Sequence, residues 1–200
     1  MAKNAKLSLA DKKIVICISG MAGTGKSTLS KRLAEKYNLK CYSGGDALKE
    51  LAKAEGYDVS CQGWWESPEG LNFLNERVND PKFDKAVDAE LLKYAKQGNV
   101  LLDSWTMPWL LRDAFKIWLE TDVNVRTKRA TKRDDLTFDD ALIRVKLKDE
   151  QTQTIYKKLY GFNLGKDFEP FDFILDTNDL EAEEVFQTVC AVVDNIVLKK

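Results

Sequence analysis

Short apolar runs alternate along the chain with longer stretches in which apolar residues recur every three or four positions. That alternation predicts a β-α-β-α protein. Ile14 to Ile18 is a β-branched run bounded by glycine, as in a strand buried on both faces. Ser27 to Tyr37 sets Leu29, Leu33 and Ala34 on one face and Lys31, Arg32, Glu35 and Lys36 on the other, an amphipathic helix ended by Asn38. Leu39 to Ser43 reads as a second strand, with Gly44-Gly45 as a turn behind it. Helical composition follows over Ala47 to Gly56, a polar, tryptophan-bearing connection over Tyr57 to Glu69, and helical spacing over Gly70 to Asn79.

Asp80-Pro81 restarts the chain as a cap and first-turn proline, and the helix runs to about Gln97. After the Gly98-Asn99 turn, Val100 to Leu102 is a third strand and Trp105 to Arg112 a loop with a short helix. Phe115 to Leu119 is a fourth strand, followed by an arginine-bearing helix and a long charged helical stretch from Asp134 to Gly161. Phe171 to Asp176 is the fifth strand and Leu180 to Leu198 a closing amphipathic helix. Strands alternating with helices in this way predict an α/β fold, a parallel sheet with helices on both faces.

Between the first strand and the first helix stands Gly20-Met21-Ala22-Gly23-Thr24-Gly25-Lys26-Ser27, which fits G-x-x-x-x-G-K-[ST] at every fixed position. A triphosphate needs many donors at close range, and glycines let a loop wrap it with backbone N–H groups turned inward. The helix that follows adds unpaired N–H groups and partial positive charge. In this pattern Lys26 reaches the β- and γ-phosphates, Ser27 ligates Mg²⁺ and Thr28 supports the α-phosphate. ATP and Mg²⁺ are therefore the expected cofactors.

Composition narrows the remaining chemistry. At 200 residues there is room for one well-buried core. The 31 basic and 32 acidic residues leave a formal charge of −1, so no global field draws in nucleic acid or an anionic membrane. The four cysteines are scattered and include no C-x-x-C pair, as in a reduced cytoplasmic protein. Histidine is absent, which excludes imidazole acid–base chemistry and histidine metal sites. Residues 1–12 are polar, without the apolar stretch of a signal, and read as a flexible tail.

Ligands of doubly wound sheets bind beyond the carboxyl ends of the strands, which directs attention to Ser43, Asp46 and Asp103. Asp84 and Asp88, four apart, share a helix face that is either a solvated acidic stripe or a substrate contact. Arg126, Arg129 and Arg133 line one side of a helix. Such a row repels itself unless acids or a polyphosphate compensate, and beside a phosphate loop the favoured reading is a closing lid that stabilises the charge of phosphoryl transfer. Trp64, Trp65, Trp105 and Trp109 either stack on an acceptor or pack the core.

Taken together, ISGMAGTGKST, LAEKYNLKCYSGGD, DPKFDKAVDAELLKYAKQGNVLLD, FKIWL with VRTKRATKRD, YKKLYGFN and FDFILDT resemble the nucleoside monophosphate kinases, a family of P-loop kinases, and among them the archaeal type of cytidylate kinase. The resemblance implies a P-loop NTPase three-layer α/β/α fold over residues 13–200, with a five-stranded parallel sheet, an acceptor-binding segment at about 44–80 and a lid at about 130–160. By that likeness Gly20 to Thr28 hold Mg-ATP, Asp46 orders the water shell of Mg²⁺, and Arg126, Arg129 and Arg133 touch the donor phosphates. Ser43, Asp46, Lys49, Asp88, Asp103, Lys146 and Lys148 are the candidate acceptor contacts. Lys49, Lys146, Lys148, Asp103-Ser104 and Ile155 stand where the family usually carries arginine or a glycine-arginine pair, and lysine lacks the bidentate fork of arginine.

The implied activity is transfer of the γ-phosphoryl of Mg-ATP to a nucleoside monophosphate, CMP or dCMP first, by a monomer. One alternative keeps the fold and phosphorylates a hydroxyl-bearing metabolite, with Asp46 or Asp103 as base. Another is a nucleotide-gated binding module without turnover.

Overall fold

Five parallel strands, β1 (Val15–Gly20), β2 (Lys40–Ser43), β3 (Val100–Asp103), β4 (Phe115–Glu120) and β5 (Phe173–Asp176), join in the order β2-β3-β1-β4-β5. This computed structural model describes residues 13–61 and 63–199, and the expected tail over residues 1–12 lies outside them. Register pairs Ile16 of β1 with Leu101 of β3 and with Phe115 of β4. Because β1 is central, its carboxyl end opens between those of its two neighbours.

Side chains alternate across the sheet, and each face carries its own helices. On one side Ile16, Ile18, Leu101, Ile117 and Leu119 meet α1 (Lys26–Tyr37) and α8 (Ala182–Val192) through Leu29, Leu33, Val185 and Val189. On the other side Cys17, Val100 and Leu102 meet α2 (Gly44–Ala54), α3 (Pro68–Asn79) and α4 (Lys82–Gln97) through Leu48, Phe73, Phe83, Val87 and Leu91. The result is the three-layer α/β arrangement implied by the alternation of runs. Burying one such side chain contributes roughly 1.5–3 kcal/mol, so the strand ends that carry the site are held firmly.

After the short α5 (Met107–Leu110) and β4 come α6 (Val123–Asp134) and α7 (Phe138–Tyr160). Thr137 caps α7, its hydroxyl accepting from the Asp140 N–H, and Gly161 closes it at a φ of 81°. The far half of α7 packs Ile155 and Tyr156 with Leu74, Trp118, Phe162 and Leu164. The long charged stretch is thus one helix of 23 residues with an apolar seam.

Several boundaries differ from the sequence reading. Gly44-Gly45 is not a turn but the first turn of α2, because the Ser43 hydroxyl accepts from the Asp46 N–H at 3.1 Å and starts the helix there. The fifth strand begins at Phe173, since the Asp172 carboxylate takes the Lys116 N–H at 2.8 Å. The closing helix leaves α geometry after Val192 and finishes as a π turn over Val193–Val197. Trp64 is core, 1% exposed against Phe73, and Trp109 stacks on Phe162 at 3.9 Å.

Candidate active site

The loop between β1 and α1 is closed by its own hydrogen bonds. Thr24 Oγ1 and Lys26 Nζ both donate to the Met21 carbonyl, at 3.0 and 2.9 Å. Gly20 stands at a φ of 154°, and a Cβ there would lie 2.7 Å from the Leu119 carbonyl of β4. Gly25, at a φ of 92°, precedes α1 with nothing within 4 Å of where its Cβ would be. No side chain caps α1 and no acid stands in its first turn. Among the described residues its amino-terminal N–H groups thus have no side-chain cap, and they carry partial positive charge.

Beyond this loop lies a cleft, entered over the carboxyl ends of β1, β2 and β3. Ala22, Gly23, Lys26, Ser27, Asp103 and Ser104 line its loop side. Ser27 Oγ donates to Asp103 Oδ2 at 2.6 Å, joining the first turn of α1 to the end of β3. The opposite wall carries Trp65, Arg77, Asp84, Asp88, Thr106 and, from α7, Lys148, Thr152 and Tyr156.

Burial shapes the charges. It pulls Lys26 down to about 8; Asp103 opposes the shift and Lys148 adds to it. Burial likewise raises Asp103, with Lys26 and the Ser27 hydroxyl pulling the other way. On the far wall Arg77 grips Asp84 bidentately, at 3.0 and 2.6 Å, with both side chains only 1% exposed. Asp88 accepts from Thr106 Oγ1 at 2.5 Å and from Tyr160 Oη at 2.6 Å. Burial still lifts it to about 6, ahead of the lowering by those two hydroxyls.

The cleft thus combines a cationic loop side with a wall of paired charges and hydroxyls, and sequence comparison decides its kinship. A cytidylate kinase-like family pattern matches residues 15–179. The chain belongs to the cytidylate kinase-like family. It is similar to the cytidylate kinase of Pyrococcus horikoshii, 31% identical over 185 residues that span 92% of this chain and 90% of that one. The cytidylate kinase of Methanocaldococcus jannaschii is 31% identical over 188 residues, 92% and 99% of the two chains. Among solved structures an uncharacterized protein from Eubacterium ventriosum superposes with a TM-score of 0.60 at 17% identity, covering 92% and 99%. A shikimate kinase from Bacteroides thetaiotaomicron does so at 0.55 and 16%, covering 94% and 99%. The chain is a kinase, and it shares its α/β fold with those solved structures.

The other residues singled out from the sequence fall in three places. Arg126, Arg129 and Arg133 on α6 of this cytidylate kinase-like chain border the phosphate loop or the cleft. Arg126 donates to the Ala22 carbonyl at 3.0 Å and pairs with Asp149 of α7 at 2.8 Å. Arg129 donates to the Thr24 and Thr177 carbonyls at 3.4 and 3.0 Å, and Arg133 lines the cleft with its Nε bonded to Asp134. Ser43, Asp88, Asp103 and Lys148 also line it, the Lys148 ammonium 5.3 Å from the Trp65 ring. Asp46 and Lys146 are exposed and Lys49 half-buried, and none of the three lines the cleft.

Sequence reasoning missed Arg77, Thr106, Thr152 and Tyr156. Tyr156 and Thr152 follow Lys148 at four-residue spacing on α7, a signal that was present in the chain and available. Arg77 gave none, because its partner Asp84 lies across a helix break.

Proposed function

We propose that the protein passes the terminal phosphoryl group of Mg-ATP to a nucleoside monophosphate, with CMP and dCMP as first acceptors. The observation that carries this is the uncapped amino end of α1, opening beside Lys26 into a cleft whose other wall offers an aromatic face, Trp65, and hydroxyls. The relatives' names supply the pyrimidine acceptor. The loop glycines and the first-turn amides of α1 fit a triphosphate, since among the described residues no side chain answers those donors.

Lys26 would carry charge to the transferred group, and Arg126 and Arg129, already on loop carbonyls, would line its flank. Bound Mg²⁺ neutralises the charge that builds on phosphate oxygens. Ser27 and Asp103 would hold it, whereas Asp46, expected to order its water shell, stands exposed at the first turn of α2 and off the cleft lining. Lys148 on the far wall and Arg133 line the cleft and would orient the acceptor phosphate, both within the expected lid at 130–160, while Trp65 and Arg77 come from the expected acceptor segment at 44–80. An acceptor phosphate is already ionised, so transfer needs positioning and electrostatics rather than a base. That favours a phosphate over a hydroxyl acceptor, because Asp103 is committed to Ser27.

Coupled assay of the purified protein with Mg-ATP and CMP, dCMP, UMP and AMP tests the reading. Lys26→Met should lower turnover at least a hundredfold with an unchanged circular dichroism spectrum. Near wild-type turnover in that variant, or no transfer to any monophosphate, refutes it.

A further inference from the structure

Trp105, one of the five tryptophans in the chain, is hydrogen-bonded to the phosphate loop itself. It comes two residues after Asp103, which ends β3, with Ser104 between them, and it lines the same cleft. Its indole N–H donates to the Gly20 carbonyl at 2.6 Å, and the Lys26 ammonium stands 5.5 Å from its ring centroid. The ring also meets Tyr156 of α7 edge-on at 6.1 Å.

Each contact has a mechanical consequence. A trans peptide points its C=O and N–H in opposite directions, so anchoring the Gly20 carbonyl sets the plane of the first peptide in the loop. Gly20 has little other freedom, with Leu119 and Thr24 closing the space beside it. The Lys26 side chain is tied at its tip to the Met21 carbonyl, one peptide further on. A ring face within about 6 Å attracts an ammonium, so the same residue restrains both the loop and its lysine. Core packing alone would require neither the indole bond nor the cation.

We propose that Trp105 is the positioning residue for the phosphate loop, its indole N–H holding the Gly20 peptide plane and its ring holding Lys26 ready for the nucleotide. The inference rests on the phosphotransfer reading above. It differs from a stacking role for Trp105 against the acceptor, which would act through acceptor affinity instead.

The test compares wild type with Trp105→Phe, which keeps the ring and loses the donor, and Trp105→Leu, which loses both. Trp109→Phe, in the aromatic cluster outside the cleft, is the control. With Mg-ATP and CMP, kcat should fall about fivefold in Trp105→Phe and about twentyfold in Trp105→Leu, the size of one hydrogen bond and of that bond with the ring contact added. The KM for CMP should stay within about twofold. Mg-ATP should change tryptophan emission in wild type and Trp109→Phe, and the change should be largely lost in Trp105→Phe. Unchanged kcat in both Trp105 variants overturns the inference, as does a loss confined to the KM for CMP. Should Trp105→Leu fail to fold, Trp105→Phe decides by the same criteria. Calorimetric titration of Mg-ATP separates the two readings: no binding to wild type overturns the kinase reading and this inference together. Binding with normal turnover in every variant overturns this inference alone.

Discussion

Replacing Asp88 by asparagine should stabilise the protein at neutral pH and do so progressively less as pH falls. Asp88 is 6% exposed and lined up between two hydroxyl donors, Thr106 and Tyr160, yet burial raises it from 3.8 to about 6. A carboxyl whose folded value lies above its unfolded one binds its proton more tightly in the native state. Stability is then fully present below the unfolded value and is lost as pH rises through about 4 to 6. At about 1.4 kcal/mol per pKa unit the loss is about 3 kcal/mol. Asparagine has the same shape, accepts from Thr106 and donates to the Tyr160 oxygen, and carries no charge to desolvate. Asp84 raises Asp88 further and Arg77 lowers it; both effects act on the Asp88 charge, are contained in the shift to about 6, and vanish with that charge in the variant.

Urea denaturation of wild type and Asp88→Asn at pH 4, 5, 6 and 7 reads the difference directly. It should grow in favour of the variant by about 2–3 kcal/mol from pH 4 to pH 7. A difference flat to within about 0.5 kcal/mol would sink the claim that the native carboxyl is held against ionisation. A carboxyl that costs the fold stability at neutral pH is also the kind of group found at ligand sites, which matches its place on the cleft wall.

Two further changes probe the frame of the site. Arg77→Ala leaves the Asp84 carboxylate buried without its fork and should cost about 3–5 kcal/mol, visible as a lower thermal midpoint; a cost below about 1 kcal/mol would mean that water replaces the guanidinium. Gly20→Ala drives a Cβ toward the Leu119 carbonyl at 2.7 Å and Thr24 Oγ1 at 2.9 Å, so it should cost more than about 1 kcal/mol in urea unfolding and abolish Mg-ATP binding. Wild-type affinity in that variant would show that the loop does not need this backbone path.

The phosphate loop and the strands around it were legible in the chain because their information is local. Gly20 to Ser27 carries its own spacing, and Ile14 to Ile18 and Val100 to Leu102 carry their own apolar runs. Ser43 defeated the local reading of Gly44-Gly45, since a capping hydroxyl outweighed the tendency of two glycines to turn the chain. The tryptophans defeated it too. Trp64 and Trp65 are neighbours whose ring centroids lie 4.8 Å apart, yet Trp64 is core and the half-buried Trp65 lines the cleft, because what packs over each ring is set by the tertiary fold.

The cleft depends on pairs that no stretch of sequence contains. Ser27 meets Asp103 from 76 residues away, Trp105 reaches Gly20 from 85, and Arg126 finds both Ala22 and Asp149. Those meetings follow from the strand order, which sets β3 and β4 on either side of β1, and from α7 lying back across α3. A motif can specify the conformation of its own eight residues. Which side chains face it across the cleft is decided by crossovers and helix packing, and these answer to the burial of the whole apolar core.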